Sequence, residues 1–241
     1  MKKIVSLVLA VILMLSLSVG ASARTASAKT AAKTYAVEVI DYNTRYPFDA
    51  VIYKPKGVEP KIGMVFYAGQ PVDYREYGTL LKRIAAAGYL VISPEFPLDT
   101  AVLNIPAGRE YMKFFPEVKE WFLAGHSHGG GTVMAEASLK PDLYQGLILL
   151  DGTAFVAALP DDYPVLTFHA TEDLAVNLVQ HKIQLAEIAN CNVTDVTIKG
   201  GNHAQFGDYG TQFNDGKAKI SKKKQLDITL KHIMKFMKKY A

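Results

Sequence analysis

From Thr34 onward the chain alternates short runs of β-branched and aromatic residues with longer stretches whose apolar positions recur every three or four residues. Few architectures satisfy that alternation, because a helix after each strand returns the chain to start the next strand in the same direction. The expectation is an α/β protein with a mostly parallel eight-stranded sheet and helices on both faces. Tyr35 to Ile40 and Ala50 to Tyr53, on either side of the polar Asp41-Tyr42-Asn43-Thr44-Arg45, are expected to pair antiparallel. Ile62 to Ala68, Tyr89 to Ser93, Trp121 to Gly125, Leu147 to Leu150, Val165 to His169 and Val193 to Ile198 are nearly continuous in apolar residues, which predicts six buried strands. Tyr74 to Ala87, Ala107 to Phe115, Gly129 to Leu139 and Asn177 to Ala189 carry the helical period. Neither an internal repeat nor a second domain boundary is visible, so residues 34 to 241 read as one domain.

Ahead of this domain the sequence is of another kind. Lys2 and Lys3 precede an apolar stretch from Ile4 to Val19 broken only by serines, and Ala21-Ser22-Ala23 then supplies the small residues of a cleavage site. Residues 1 to 23 read as a bacterial-type secretory signal peptide and residues 24 to 33 as a flexible N-terminal tail, so the protein is expected to be extracellular or periplasmic. An apolar stretch of about 16 residues falls short of the roughly 20 that a membrane helix needs, and no stable span is expected after cleavage. The chain has 27 basic and 23 acidic side chains; without Lys2 and Lys3 the balance is 25 against 23, an excess of +2 that is too small for a nucleic-acid footprint. A lone Cys191 allows no intramolecular disulfide and no multi-thiolate metal site. Stability has to come from a core, which 241 residues at 49% hydrophobic can supply.

The segment Trp121-Phe-Leu-Ala-Gly125-His126-Ser127-His128-Gly129-Gly130-Gly131 contains G-x-S-x-G at the end of an expected strand and the start of an expected helix. That context is what a nucleophile elbow requires: a sharp strand-to-helix turn holding a serine in a strained conformation, with glycines where a Cβ would collide. Ser127 is the expected nucleophile, with its hydroxyl at the carboxyl edge of the sheet and the positive end of a helix beside it.

A serine hydroxyl needs a base and an orienting acid, and in this arrangement they follow in the order acid, histidine. Val165-Leu-Thr-Phe-His169-Ala-Thr-Glu172-Asp173 is a strand running into a turn that carries carboxylates. Asp173 is preferred over Glu172, because the third residue beyond the strand aims back across the sheet edge; Asp151, after Leu150, is a further candidate. Ile198-Lys-Gly200-Gly201-Asn202-His203 supplies the base, His203, in a glycine-rich loop after the last strand. His126 is expected to be packed, His128 to contribute its backbone N–H, His169 to be a buried hydrogen-bonded residue near the acid, and His181 and His232 to be surface residues. A zinc site from His126, His128, His169 and His203 fits by residue type, but the elbow turn separates the first two, so no metal is expected.

These blocks resemble the α/β-hydrolase superfamily, and within it the dienelactone-hydrolase-like set grouped as alpha/beta hydrolase fold family 5. Val65-Phe-Tyr-Ala-Gly69-Gln70-Pro-Val72 with Tyr77 and Leu80 resembles the oxyanion-loop segment, and Leu123-Ala-Gly-His-Ser127-His-Gly-Gly130 the elbow. Gly200-Gly-Asn-His203-Ala-Gln-Phe-Gly207-Asp-Tyr-Gly210 with Gln212, Asp215 and Gly216 resembles the histidine loop. The resemblance spans Tyr35 to Gln225 and implies Ser127, Asp173 and His203 as a triad. It departs from dienelactone hydrolases proper, which use a cysteine nucleophile, and from relatives that carry a second glycine at the position of Gln70.

The implied chemistry is acyl transfer through an acyl-enzyme, with the N–H groups of His128 and of Gln70 or Gly69 binding the oxyanion. No cofactor is expected. Only about a dozen residues separate Gly152 from Pro164, too few for a sizeable lid domain. Tyr67, Tyr74, Phe206, Tyr209 and Phe213 are either an apolar wall for small or medium acyl or aryl esters or ordinary core. The expected function is that of a secreted serine hydrolase, a carboxylesterase acting on a small-molecule ester. A thioesterase or peptidase would use the same triad; an idle hydrolase-fold binding protein would not need it complete. Lys217 to Lys239 carries nine lysines against one acid, Asp227, and reads as the solvated face of a final helix with Ile228, Ile233, Phe236 and Met237 packed inward.

Overall fold

The chain forms strands β1 (Val37–Tyr42), β2 (Ala50–Pro55), β3 (Ile62–Tyr67), β4 (Leu90–Pro94), β5 (Glu120–His126), β6 (Leu147–Leu150), β7 (Pro164–Ala170) and β8 (Asn192–Ile198). Among the described residues five α-helices accompany them: α1 (Gly78–Ala86), α2 (Ala107–Met112), α3 (His128–Leu139), α4 (Leu178–Glu187) and α5 (Lys222–Tyr240). This computed structural model describes residues 33–42, 49–156 and 158–241. The expected signal peptide and, apart from Lys33, the expected tail lie outside the described residues. Among the described residues no helix is long and apolar enough to cross a membrane.

The strands make one sheet in the order β1-β2-β4-β3-β5-β6-β7-β8. β2 pairs antiparallel with β1 and β4, and every other pairing is parallel. Because side chains alternate faces along a strand, each central strand feeds two cores. Phe66, Phe122, Ile148 and Phe168 pack on one side beneath α1 and α5, through Leu80, Leu81 and Ile84 from α1 and Leu226, Ile233 and Phe236 from α5. Val65, Leu123, Leu149 and Val165 pack on the other side beneath α2 and α3, against Tyr111, Val133 and Met134. The parallel register brings the carboxyl ends of β5, β7 and β8 to one edge, where an open α/β sheet builds its crevice.

Two expectations need correction. Val193 to Ile198 is not a strand buried on both faces: β8 is the outer strand, paired only with β7, and Asn192, Thr194, Asp195 and Thr197 are exposed. Its sequence alternates polar and β-branched residues as a half-covered edge does. The helix expected from Tyr74 begins only at Gly78, because Tyr74 to Tyr77 are spent in turns. The final helix likewise starts at Lys222, behind Ser221, whose hydroxyl accepts from the Lys224 amide.

Candidate active site

Ser127 joins β5 to α3 with φ 54° and ψ −125°, a left-handed conformation that a serine adopts only under constraint. The constraint is visible in its surroundings. The Ser127 amide donates to the Leu150 carbonyl, and its own carbonyl accepts from Gly130 and Thr153. A Cβ at Gly129 would fall 2.3 Å from the Tyr67 and Ala68 carbonyl oxygens, and one at Gly125 would fall 2.5 Å from the Gly129 oxygen. Only glycines let α3 start this close to β3 and β5.

His203 follows β8 in a loop held from two directions. Asp215 accepts from the amides of His203, Ala204 and Gly216, and Gln225 on α5 both accepts from the Asn202 amide and donates to the Asn202 carbonyl. The ring is fully buried, and its Nδ1 lies 2.6 Å from Oδ2 of Asp173. Oδ1 of Asp173 accepts from the Val176 amide at 2.7 Å. Nε2 of His203 has no hydrogen-bond partner among the described residues. The ring centroid is 4.2 Å from that of His126, the residue before Ser127. Glu172, the rival carboxylate, turns outward to Lys219 at 2.8 Å.

The loop after β3 approaches Ser127 closely, since a Cβ at Gly69 would lie 3.1 Å from the Ser127 Cβ. The Gly69 amide donates to the Tyr77 hydroxyl at 3.0 Å, and that hydroxyl is 2.9 Å from Nδ1 of His126. The hydroxyl accepts from the Gly69 amide and shares a proton with Nδ1, one of the two donating and the other accepting. Burial holds the His126 imidazole well below its ordinary value, which keeps it neutral. Of the two amides considered for the oxyanion, Gly69 is thus occupied, leaving that of Gln70.

A cleft of about 240 Å³ opens beside these groups, lined by Gln70, Ala101, Val102, His128, Thr132, Thr153 and Phe155. The aromatics weighed as either its wall or ordinary core do not line it. Tyr67 is in the core with its hydroxyl on the Ile105 carbonyl, Tyr74 and Phe206 are buried, Tyr209 packs on Tyr77, and Phe213 is 89% exposed. Val102, in the short 3-10 helix Ala101–Asn104, and Phe155, in irregular chain, take their place from segments too short for a periodicity to mark them. Between β6 and β7 the described residues contain no helix, which leaves the cleft uncovered on that side.

The remaining histidines are partly as expected. His169 is buried with Nδ1 3.1 Å from Oδ1 of Asp151. His181 is not on the surface: it is buried, stacked on His169 at 4.9 Å with 18° between planes, and bonded through Nε2 to Asp195. Its helix was expected, but not the inward face on which His181 and Gln184 are the buried residues. The set of His126, His128, His169 and His203 does not converge; among the described residues, the set of three ligand-type side chains within 4.8 Å is Asp151, Asp173 and His203. The 2.6 Å contact between Asp173 and His203 is a direct hydrogen bond with no room for a cation between them.

A family model described as the alpha/beta hydrolase family matches residues 63–227. A solved structure, Est1E from Butyrivibrio proteoclasticus, superposes with a TM-score of 0.58 at 16% identity, covering 83% of this chain and 98% of that one. No curated protein matches the sequence.

Proposed function

The chain belongs to the alpha/beta hydrolase family, and on that footing we propose that it is a secreted serine hydrolase cleaving carboxylic esters of short acyl chains. The observation that carries this reading is the buried His203–Asp173 pair with its far nitrogen unpaired, set at the same sheet edge as a serine strained into an elbow. His203 Nε2 takes the Ser127 proton as Oγ attacks the ester carbonyl. Asp173 holds Nδ1–H, which fixes the tautomer and balances the imidazolium that forms. Charge developing on the carbonyl oxygen is met by the amides of His128, at the start of α3, and of Gln70. The alcohol leaves with the proton from His203, and a water activated by the same imidazole then releases the acid and frees Ser127.

The cleft supports a short acyl group, since about 240 Å³ lies below the roughly 300 Å³ at which drug-sized sites begin. Val102 and Phe155 give it an apolar rim. Secretion is supported by the leader through Ala23, and protein recovered from the medium should begin beyond it.

The test is fluorophosphonate labelling of the mature protein with p-nitrophenyl acetate turnover. Both should occur in the natural protein and vanish in Ser127→Ala, and turnover should fall along a p-nitrophenyl series of lengthening acyl chains. A Ser127→Ala protein that still labels and turns over would refute the nucleophile.

A further inference from the structure

Behind the proposed catalytic groups stand three Asp–His pairs in series. His203 bonds Asp173 at 2.6 Å, His169 bonds Asp151 at 3.1 Å, and His181 bonds Asp195 at 3.1 Å. The first two pairs meet through their acids, because Asp151, Asp173 and His203 have ligand atoms within 4.8 Å of one another. The second and third meet through the stacked rings of His169 and His181. Asp151 follows β6, Asp173 follows β7 and Asp195 lies on β8, so the series crosses the sheet edge from the site to its outer strand. Of its members only Asp195 reaches solvent appreciably, with 38% of its side chain exposed.

The mechanism above uses one of these acids. Asp151 is fully buried and sits at φ 39°, a left-handed conformation its turn imposes. Its Oδ2 accepts from the Ala170 amide at 2.8 Å, so its place is specified and not accidental. The groups facing it are Asp173 and Asp215 from the loops after β7 and β8, His169 on β7, and His203; His181, on α4, reaches it only through His169. Two carboxylates this close in a dry interior do not both ionise, and the proton goes to the one whose charge is less well met. Asp173 has the shorter, charge-assisted bond to an imidazole and an amide besides. Burial and the neighbouring Asp173 push the Asp151 carboxyl well above the usual carboxylate range.

We propose that Asp151 is a second, proton-bearing carboxyl of the site, which holds Asp173 toward His203 and takes over as partner of the imidazole when Asp173 cannot carry charge. Asp151 is a positioning residue: its O–H donates to Asp173 without adding a second charge to the site. When residue 173 is neutral, the repulsion that kept the proton on Asp151 is gone. Asp151 then ionises, and its carboxylate is already within 4.8 Å of the His203 ring nitrogen. The inference rests on the reading of Ser127, His203 and Asp173 given above.

Carbon-13 NMR of the full mature protein labelled at the aspartate carboxyls tests the first half. One resonance, absent from Asp151→Asn, should titrate above those of the exposed aspartates; ordinary titration of that resonance overturns the proposal whatever the enzyme does. Kinetics tests the second half. Asp151→Asn, which keeps the acceptor for Ala170, should lower kcat about tenfold, and adding it to Asp173→Asn should cost a further hundredfold or more, where independent sites would give about tenfold again. The residual turnover of Asp173→Asn should rise with pH as Asp151 ionises, and that rise should be missing from the double variant. A double variant equal to the product of the singles, or a pH profile that the second substitution leaves alone, rejects the reserve role. A wrong nucleophile would be recognised separately, by labelling that survives Ser127→Ala.

Discussion

The hydroxyl of Tyr77 stands 2.9 Å from Nδ1 of His126 and ties that buried imidazole to the amide of Gly69. One hydroxyl thereby fixes the loop carrying Gln70 to the residue that precedes Ser127, so the two proposed oxyanion amides are held in one frame. Tyr77→Phe leaves the Gly69 amide and His126 Nδ1 buried without a partner, at about 1–3 kcal/mol. The expected result is a thermal midpoint lower by several degrees and a kcat lower by about tenfold or more, with KM for p-nitrophenyl acetate little changed. An unchanged kcat would show that the loop is positioned without Tyr77.

The choice between two adjacent acids is open to direct comparison. Asp173→Asn should lose about 10² in kcat, less than the roughly 10⁴ of such a replacement in a serine protease triad, because Asp151 takes over in part. Glu172→Gln, which gives up only a contact to the exposed Lys219, should keep near-natural turnover. Reversal of the two would transfer the acid role.

Buried groups write two opposite slopes into the dependence of stability on pH. His126 is held neutral in the fold, while in the unfolded chain it takes a proton below its ordinary value of 6.5. Its contribution is therefore present above that value and is lost as pH falls below it. Asp151 is the reverse: between its ordinary value of 3.8 and its raised value in the fold, the folded state binds the extra proton, so stability falls as pH rises. Each slope approaches about 1.4 kcal/mol per pH unit at most. Denaturation midpoints of the natural protein, His126→Asn and Asp151→Asn from pH 4 to 8 should show the acid loss diminished in the first variant and the decline with rising pH diminished in the second.

Chelators separate proton-transfer chemistry from a metal alternative. With Asp173 directly bonded to His203, prolonged EDTA or phenanthroline should leave esterase turnover unchanged and the purified protein should carry no stoichiometric zinc. Activity lost to chelator and restored by zinc would refute the mechanism.

The second anchor of the histidine loop lies on the last helix. Gln225 is fully buried and closes two hydrogen bonds on the backbone of Asn202, next to His203. Gln225→Ala should lower kcat about tenfold, with a thermal loss matching about 1–3 kcal/mol. If kcat holds while stability drops, Asp215 alone aligns the imidazole.

The alternation of strands and helices, the elbow and the direction in which Asp173 points were legible because each has a local signature: apolar runs, glycines around a serine, a fixed offset from a strand end. What escaped depended on neighbours that no local pattern names. β8 reads as a buried strand until the sheet order puts it outermost, and His181 reads as solvated until α4 leans its ring onto His169. The Tyr77 hydroxyl that occupies the Gly69 amide, and so favours Gln70 as the proposed oxyanion donor, lies eight residues on from it. Val102 lines the cleft from a short 3-10 helix and Phe155 from irregular chain, segments too short for a period to distinguish a wall from a surface.

Because Gln225 belongs to α5, the segment that steadies His203 is made after every other part of the site. A growing chain that has already completed the elbow, the acid turn and the histidine loop still lacks the side chain that closes on Asn202 and the apolar face that covers Phe122 and Phe168. During synthesis, the second hold on the His203 loop arrives with α5, and a chain cut before Lys222 would carry the proposed reacting groups with Asp215 but not Gln225 to anchor that loop.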